Sequence, residues 1–499
     1  MNIKPVRTSP SCLKFPSWPL RFIWNLAPGL WNLSIAACAL FLVSPLHAAV
    51  DRSKKPTPEP APAAAFPDYK TFTLRNGLKV FVIEDDRKPT LSLRLLIKGG
   101  ATAEGSRIGL SDFVAVLLNR GTATRDAAKF AEETDFLGMK VEAASGPDAI
   151  GVGADGLTKY TDKVLELFAD AVLHPAFPAD QLEIVRKQTL SRLASEKQQP
   201  AALLNKLQGK VLFGEHPYGA FSTPENVLAI KRDDLVSFHQ TYFAPNNASL
   251  AIVGDVKADE IVALVEKTLV GWARQEIPKS KLPTIPKLQS VTVHLVDRPG
   301  SVQSSIGITE PGPPRNGPDN PELNVVNATL GGGFSGRLFQ NLREKRGWTY
   351  GAYSAFGPNK LAGYFEASAE TRNEVTAPAI KETLAEMKRL RDEPVPDAEL
   401  ELQRQYNIGN YLLSLENAGR TAQRVQDIDL YELPADYYKR YAKRMESVTP
   451  SIAQQLAQRY LSVEDLAICV VGEAKEIKPE LEKFGKVIVY DTDLKPLAP

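Results

Sequence analysis

The sequence predicts an α+β protein built from two copies of one unit. Two observations carry that expectation. FPADQLE, starting at Phe177, is followed 77 residues later by Gly254 of IVGD, and VPDAELE, starting at Val395, is followed at the same interval by Gly472 of VVGE. Both intervals are filled by long helical patterns and close on an apolar strand ending in Val-Gly-acid, the mark of an internal duplication. The second observation is a composition break at Ile277 to Gln289, IPKSKLPTIPKLQ, where three prolines punctuate a polar stretch. That segment is the expected linker, leaving domains at 68–276 and 290–496.

In chain order, residues 1–48 contain Lys4, Arg7, Lys14 and Arg21, no acid, and an apolar run, LSIAACALFLVSPLHA. This pattern predicts a cleaved signal peptide and a periplasmic protein, not a membrane span. Cys38 in IAAC offers a lipid anchor as the less favoured alternative. Residues 49–67 are Pro/Ala-rich and predict a tether. Removing the four basic leader residues takes the formal net charge from +1 to about −3, so no electrostatic footprint for nucleic acid or an anionic membrane remains. Cys12 and Cys38 lie in the leader, so Cys469 stands alone in the mature chain and no disulfide supports the fold. Its setting, LAICVVG, predicts a buried strand rather than a reactive thiol.

The first domain opens on FTLRNGLKVFVIED, where Asn76-Gly77 between alternating runs predicts a hairpin. LSLRLLIKGG follows as a buried strand. Next comes the turn GGATAEGSRIG (Gly99 to Gly109) and the helical stretch GLSDFVAVLLNRGT (Gly109 to Thr122).

This turn and helix resemble the active-site region of the pitrilysin/insulinase-like zinc peptidases, the inverzincins, which carry H-x-x-E-H there. In that motif two His one helical turn apart hold a zinc ion and the Glu activates water. The matching positions here are Asp112, Ala115 and Val116. At the family's spacing the third ligand, a Glu, falls on Arg192, and a second acid seven residues upstream falls on Val185. An Arg cannot ligate zinc. Of the five His, His47 lies in the leader, and no two of His174, His216, His239 and His294 stand at i and i+4. No zinc or other cofactor is therefore expected in this chain.

The second domain carries GGGFSGRLFQNLREKRGWTYGAYSAF (Gly331 to Phe356). It resembles the family's C-domain motif of a Gly-rich turn, a helix, and an Arg and Tyr seven residues apart, matched by Arg343 and Tyr350. The resemblance implies that this pair reaches the substrate peptide at a zinc site, where a guanidinium and a phenol stabilise an oxyanion. Taken alone, Arg343 would be a solvated helix residue and Tyr350 ordinary strand packing. Gly331-Gly332-Gly333 lacks a following Gly-Lys-Ser/Thr and favours a tight turn over a phosphate cradle. His216 in GEHPYG favours a structural role.

The resemblance spans about residues 68–490 and implies two duplicated domains, each a mainly antiparallel sheet packed with helices, arranged as a clam shell. It further implies a zinc-free partner subunit of a heteromeric peptidase. The partner would be a homologous chain bearing the zinc, and the substrate a peptide or unfolded protein. A peptide-binding pseudoenzyme and a scaffold subunit are the alternatives.

Overall fold

Leu91, Leu93, Leu95 and Ile97 are buried on one face of a strand whose other face buries Ser92 and Leu96, so the sheet is covered on both sides. The computed structural model describes residues 65–497; the expected leader, and the tether as far as residue 64, lie outside the described residues. The first half runs β1 (Lys70–Thr73), β2 (Lys79–Glu84), β3 (Thr90–Lys98), α1 (Leu110–Leu117), α2 (Ala127–Phe136), β4 (Lys140–Ser145), β5 (Ala149–Leu157), α3 (Thr161–Leu173), α4 (Ala179–Glu196), α5 (Pro200–Phe213), α6 (Pro224–Ala229), α7 (Arg232–Tyr242), β6 (Ala248–Gly254) and α8 (Ala258–Thr268). Residues 277–289 carry neither helix nor strand. The second half runs β7 (Thr292–Asp297), β8 (Gln303–Gly312), α9 (Asn320–Leu330), a π-helical segment (Phe339–Lys345), β9 (Ala352–Pro358), β10 (Gly363–Arg372), α10 (Thr376–Asp392), α11 (Asp397–Leu415), α12 (Ala418–Leu430), α13 (Tyr441–Glu446), α14 (Pro450–Tyr460), β11 (Ala467–Gly472), α15 (Ala474–Leu481) and β12 (Val487–Tyr490).

Two six-stranded sheets result, in the orders β1-β2-β6-β3-β5-β4 and β12-β7-β11-β8-β10-β9. Five strands correspond one to one, with β2/β6 and β7/β11 parallel and the following pairs antiparallel. The sixth strand differs. In the first half β1 joins β2 antiparallel through the Asn76-Gly77 turn, where Gly77 adopts φ +89°, a left-handed conformation that glycine tolerates. In the second half β12 arrives from the C-terminal end and lies parallel to β7. The helices confirm the duplication: α4/α11, α5/α12 and α7/α14 begin at Ala179/Asp397, Pro200/Ala418 and Arg232/Pro450, each pair 218 residues apart.

Each half lends one of these helices to the other. Helix α5 lies on the second sheet, burying Leu203, Leu204 and Leu207 against Val296, Ala467, Cys469 and Val471. Helix α12 lies on the first sheet, where Ala422 and Val425 share a core with Phe81, Ile83, Ala251 and Val253. Each sheet is thus covered by its own helices on one face and by a borrowed helix on the other, so the halves are interlocked and share apolar surface. Cys469 is fully buried in that contact, and burial pushes its thiol pKa up. Among the described residues no helix is long and apolar enough to cross a membrane.

Candidate functional site

Helix α1 is positioned from its N-terminus. Gly109, at φ +90°, is the N-cap residue, and the Glu104 carboxylate accepts from the Gly109 and Ser111 backbone N–H groups at 2.8 Å each. A carboxylate that satisfies orphan donors at a helix start also complements the helix dipole. Burial nonetheless raises the Glu104 pKa, opposed by the Ser111 hydroxyl and those two N–H groups. Ser111 Oγ lies 2.7 Å from Ser145 Oγ, fixing α1 to strand β4 at the sheet edge.

Asp112 and Val116 share the outward face of α1, one turn apart, and both are exposed. Ala115 turns inward and is buried. Asp112 lines a recess shared with Glu104, Ser145 and Tyr218; desolvation there raises its pKa, and Arg192 opposes the rise.

An Asp112–Arg192 ion pair is the simplest use of the two substituted positions, but it does not form. Arg192 on α4 instead hydrogen-bonds Glu196 on its own helix, and Glu196 also pairs with Lys206 at 2.8 Å. The Arg192 side chain keeps 57% exposure, so its charge is solvated without Asp112. An acid four residues on is always within reach of a helical Arg. Val116 is likewise 40% exposed rather than packed into the vacated space, whereas Val185 is buried in the core.

Zinc requires three or four N, O or S donors. Asp112 offers one carboxylate, Ala115 and Val116 offer none, and Arg192 is cationic. These residues do not fit the ion. Among the described residues, no group of three His, Cys, Asp or Glu side chains is gathered anywhere that could hold a metal. His216 and His294 are engaged otherwise. His216 is 1% exposed, its Nδ1 accepts from Tyr218 N at 3.2 Å, and burial lowers its pKa. His294 sits between the Tyr490 and Thr292 hydroxyls at 2.9 and 3.0 Å.

In the second half the Gly-rich stretch forms a turn packed backbone to backbone. A Cβ at Gly331 would lie 2.7 Å from Ser354 N, and one at Gly336 would lie 2.9 Å from Gly331 Cα. Arg337, 7% exposed, grips Glu399 of α11 with two hydrogen bonds of 2.7 and 3.0 Å. Asn341 bonds Glu382 and Glu386 of α10. Just past these anchors the π-helical segment carries Arg343, which lies over the Phe339 ring at 5.2 Å and pairs with Glu344. Tyr350 is 91% exposed at the rim of a groove, so it is not a packing residue. The pair is displayed on the surface of the second half. The groove that Tyr350 rims includes none of Asp112, Ala115 or Val116.

Two grooves follow the duplication. One of about 710 Å³ lies between the first sheet and α12, lined by Arg94, Ala115, Val116, Lys140 and Asp427. The other, about 400 Å³, lies between the second sheet and α5, lined by Gln208, Tyr350, Tyr353, Glu366 and Glu370. The sequence did not single out Arg94, Gln208, Glu366 or Asp427. The available signal was a Gln at the same place in each repeat, Gln208 and Gln426, on helices otherwise apolar on that face.

The description "Insulinase (Peptidase family M16)" matches residues 79–219, and "Peptidase M16 inactive domain" matches residues 229–407. The chain belongs to the insulinase-like M16 peptidase family. This M16 chain is 28% identical over 409 residues to an "uncharacterized zinc protease" of Mycobacterium tuberculosis, covering 80% of this chain and 92% of that one. A Bacillus subtilis protein similarly named is 24% identical over 354 residues, covering 70% and 85%. The crystal structure of a peptidase M16 inactive domain from Pseudomonas fluorescens superposes with a TM-score of 0.75 at 25% identity, covering 81% of this chain and 98% of that one. A Helicobacter pylori protease shares the fold, with a TM-score of 0.76 at 20% identity and coverage of 81% and 99%.

Proposed function

We propose that this M16 chain is the zinc-free subunit of a heteromeric periplasmic metallopeptidase. The observation that carries the reading is a division within one chain. The helix matching the family's zinc motif holds Asp112, Ala115 and Val116, while Arg343 and Tyr350 of the second motif are present and outward-facing. Arg343 and Tyr350 follow the Arg337 and Asn341 anchors along the chain and are both exposed, which suits delivery into another molecule's site. The proposed partner is a homologous chain that carries H-x-x-E-H and the zinc; the ion supplies Lewis acidity and an activated water there. This chain's share is positioning. The Arg343 guanidinium and Tyr350 phenol donate hydrogen bonds to the scissile carbonyl oxygen as it gains negative charge. The substrate is a peptide or unfolded protein segment, and the apolar leader with small residues near Ala48 supports export.

The second reading is a stand-alone peptide-binding pseudoenzyme, favoured by the two grooves. Co-expression with an H-x-x-E-H member of the family separates the readings. The proposal requires that neither a stable complex nor its peptidase activity depend on zinc bound to this chain, and that mixing the two chains yields more activity than either alone. Chains that never associate leave only the pseudoenzyme.

A further inference from the structure

The two grooves occupy equivalent places but differ in polarity. Arg94 of β3 registers with Ala251 and Gly153, and Gly307 of β8 registers with Cys469 and Ser368, so Arg94 and Gly307 are counterparts. By the same registers Gly151 corresponds to Glu366 and Asp155 to Glu370. On the borrowed helices, the 218-residue offset pairs Asp427 with Gly209. In the first groove, then, a cation and an anion, Arg94 and Asp427, face each other. In the second, both are replaced by glycine, and Glu366 and Glu370 face no cation there.

Glu366 has no ion-pair partner among the described residues, and its hydrogen-bonding neighbour in the groove is the Gln208 amide. Gln208 is 5% exposed and lines the groove. Burial raises the Glu366 pKa, which the nearby Gln208 amide moderates. A half-buried carboxylate that faces a neutral amide and no cation costs free energy that a cationic ligand would offset. No Lys, Arg or His lines this groove, which excludes an anionic ligand. Glu366 and Glu370 are four residues apart on one strand, about 13 Å at 3.3 Å per residue, too far to chelate one metal ion. Two carboxylates spaced along a strand, with Tyr350 and Tyr353 at the rim, suit a cationic side chain on an extended chain.

We infer that the groove between α5 and the second sheet binds a lysine or arginine side chain of the peptide, with Glu366 pairing the cation and Gln208 providing a second hydrogen-bonding group. The inference rests on the reading of this chain as a peptide-binding subunit, and supplies the substrate class: peptides with a basic residue.

Isothermal titration calorimetry on the full mature chain tests it, using an acetylated, amidated heptapeptide with one central arginine and its neutral citrulline twin. The arginine peptide should bind at least about tenfold more tightly, the scale of one charge-assisted hydrogen bond. Glu366→Gln should abolish that preference, whereas the exposed control Glu393→Gln should keep it; circular dichroism and the unfolding midpoint establish that Glu366→Gln is folded. Equal affinities, a preference that survives Glu366→Gln, or no binding of either peptide up to about 1 mM overturns the inference. No partner chain is needed, so failure to find one leaves this result intact. Conversely, an activity effect of Arg343 or Tyr350 in a complex would stand even if the arginine preference were absent.

Discussion

Gln208 and Gln426 lie 218 residues apart and hold the same place on the two exchanged helices, each buried against the sheet of the opposite half. They are not equally engaged. Gln426 Nε2 donates to the Arg94 and Ser249 carbonyl oxygens at 2.8 Å each, joining α12 to β3 and β6. Gln208 Nε2, above Gly307, makes no such bond to the sheet backbone and has the Glu366 carboxylate beside it. One glutamine fastens the interlock and the other leaves its groove open.

That asymmetry predicts unequal costs. Gln426→Ala removes two hydrogen bonds, orphans two carbonyls and leaves a cavity, a loss of about 2–4 kcal/mol. Gln208→Ala should cost about 1–2 kcal/mol, chiefly lost packing. Urea unfolding of both variants checks the order, and a greater loss at Gln208 would contradict it.

Arg192→Ala should be nearly neutral. Had Arg192 formed a buried pair with Asp112, removing it would cost about 3–5 kcal/mol. Its pairing with Glu196 is largely exposed, and Glu196 keeps Lys206. The expected loss is under about 1 kcal/mol. A midpoint shift equivalent to 3 kcal/mol or more would restore the pair.

The fold was largely legible because its signals are local and repeated. The apolar run LSLRLLIKGG and the alternating runs around Asn76-Gly77 specified strands and a hairpin, and two 77-residue intervals specified the duplication. The helix exchange was not legible. An apolar face on α5 or α12 announces that it is buried, but not against which sheet. That Asp112, Ala115, Val116 and Arg192 supply no set of zinc donors is read from the residue types alone. Their actual contacts were not legible, because Arg192 chose among two acids by geometry, and Glu196 at i+4 was the nearer competitor.

Rebuilding the donor set should create zinc affinity. Asp112→His, Ala115→Glu, Val116→His and Arg192→Glu together place two imidazoles and a carboxylate where the fold keeps the family's frame, including the Glu104 cap on α1. The natural chain should carry no stoichiometric zinc and cleave no unstructured peptide. The fourfold variant should bind about one zinc per chain in metal analysis after dialysis. One tight zinc in the natural chain, lost on Asp112→Ala, would defeat the proposal for this site.

In the assembled complex, Arg343→Ala and Tyr350→Phe should each reduce kcat/KM by about 10- to 1000-fold, the range for losing one oxyanion donor. Assembly should persist, because Tyr350 is 91% exposed and the segment stays anchored by Arg337 and Asn341. Steady-state kinetics beside analytical ultracentrifugation separates catalysis from association. Full activity in the double variant would reduce the pair to a remnant.

Acid should destabilise the fold through His294, which is buried, and His239, which is half-buried. Burial lowers the His294 and His239 pKa values to about 4, against 6.5 for a free imidazole. The native state therefore resists protons that the unfolded chain accepts. For such depressed values, stability is complete above pH 6.5 and is lost as pH falls toward 4, with unfolding linked to proton uptake. His294 is the cleaner case, being 7% exposed in β7, with both ring nitrogens facing hydroxyls that cannot neutralise a charge. Its share is roughly 2–3 kcal/mol, since one pKa unit is worth about 1.4 kcal/mol. Denaturant unfolding from pH 7 to 4 should show that loss, and His294→Gln should shrink it while lowering stability at pH 7 through imperfect packing. If the variant and the natural chain lose stability in parallel over this range, the acid sensitivity lies elsewhere.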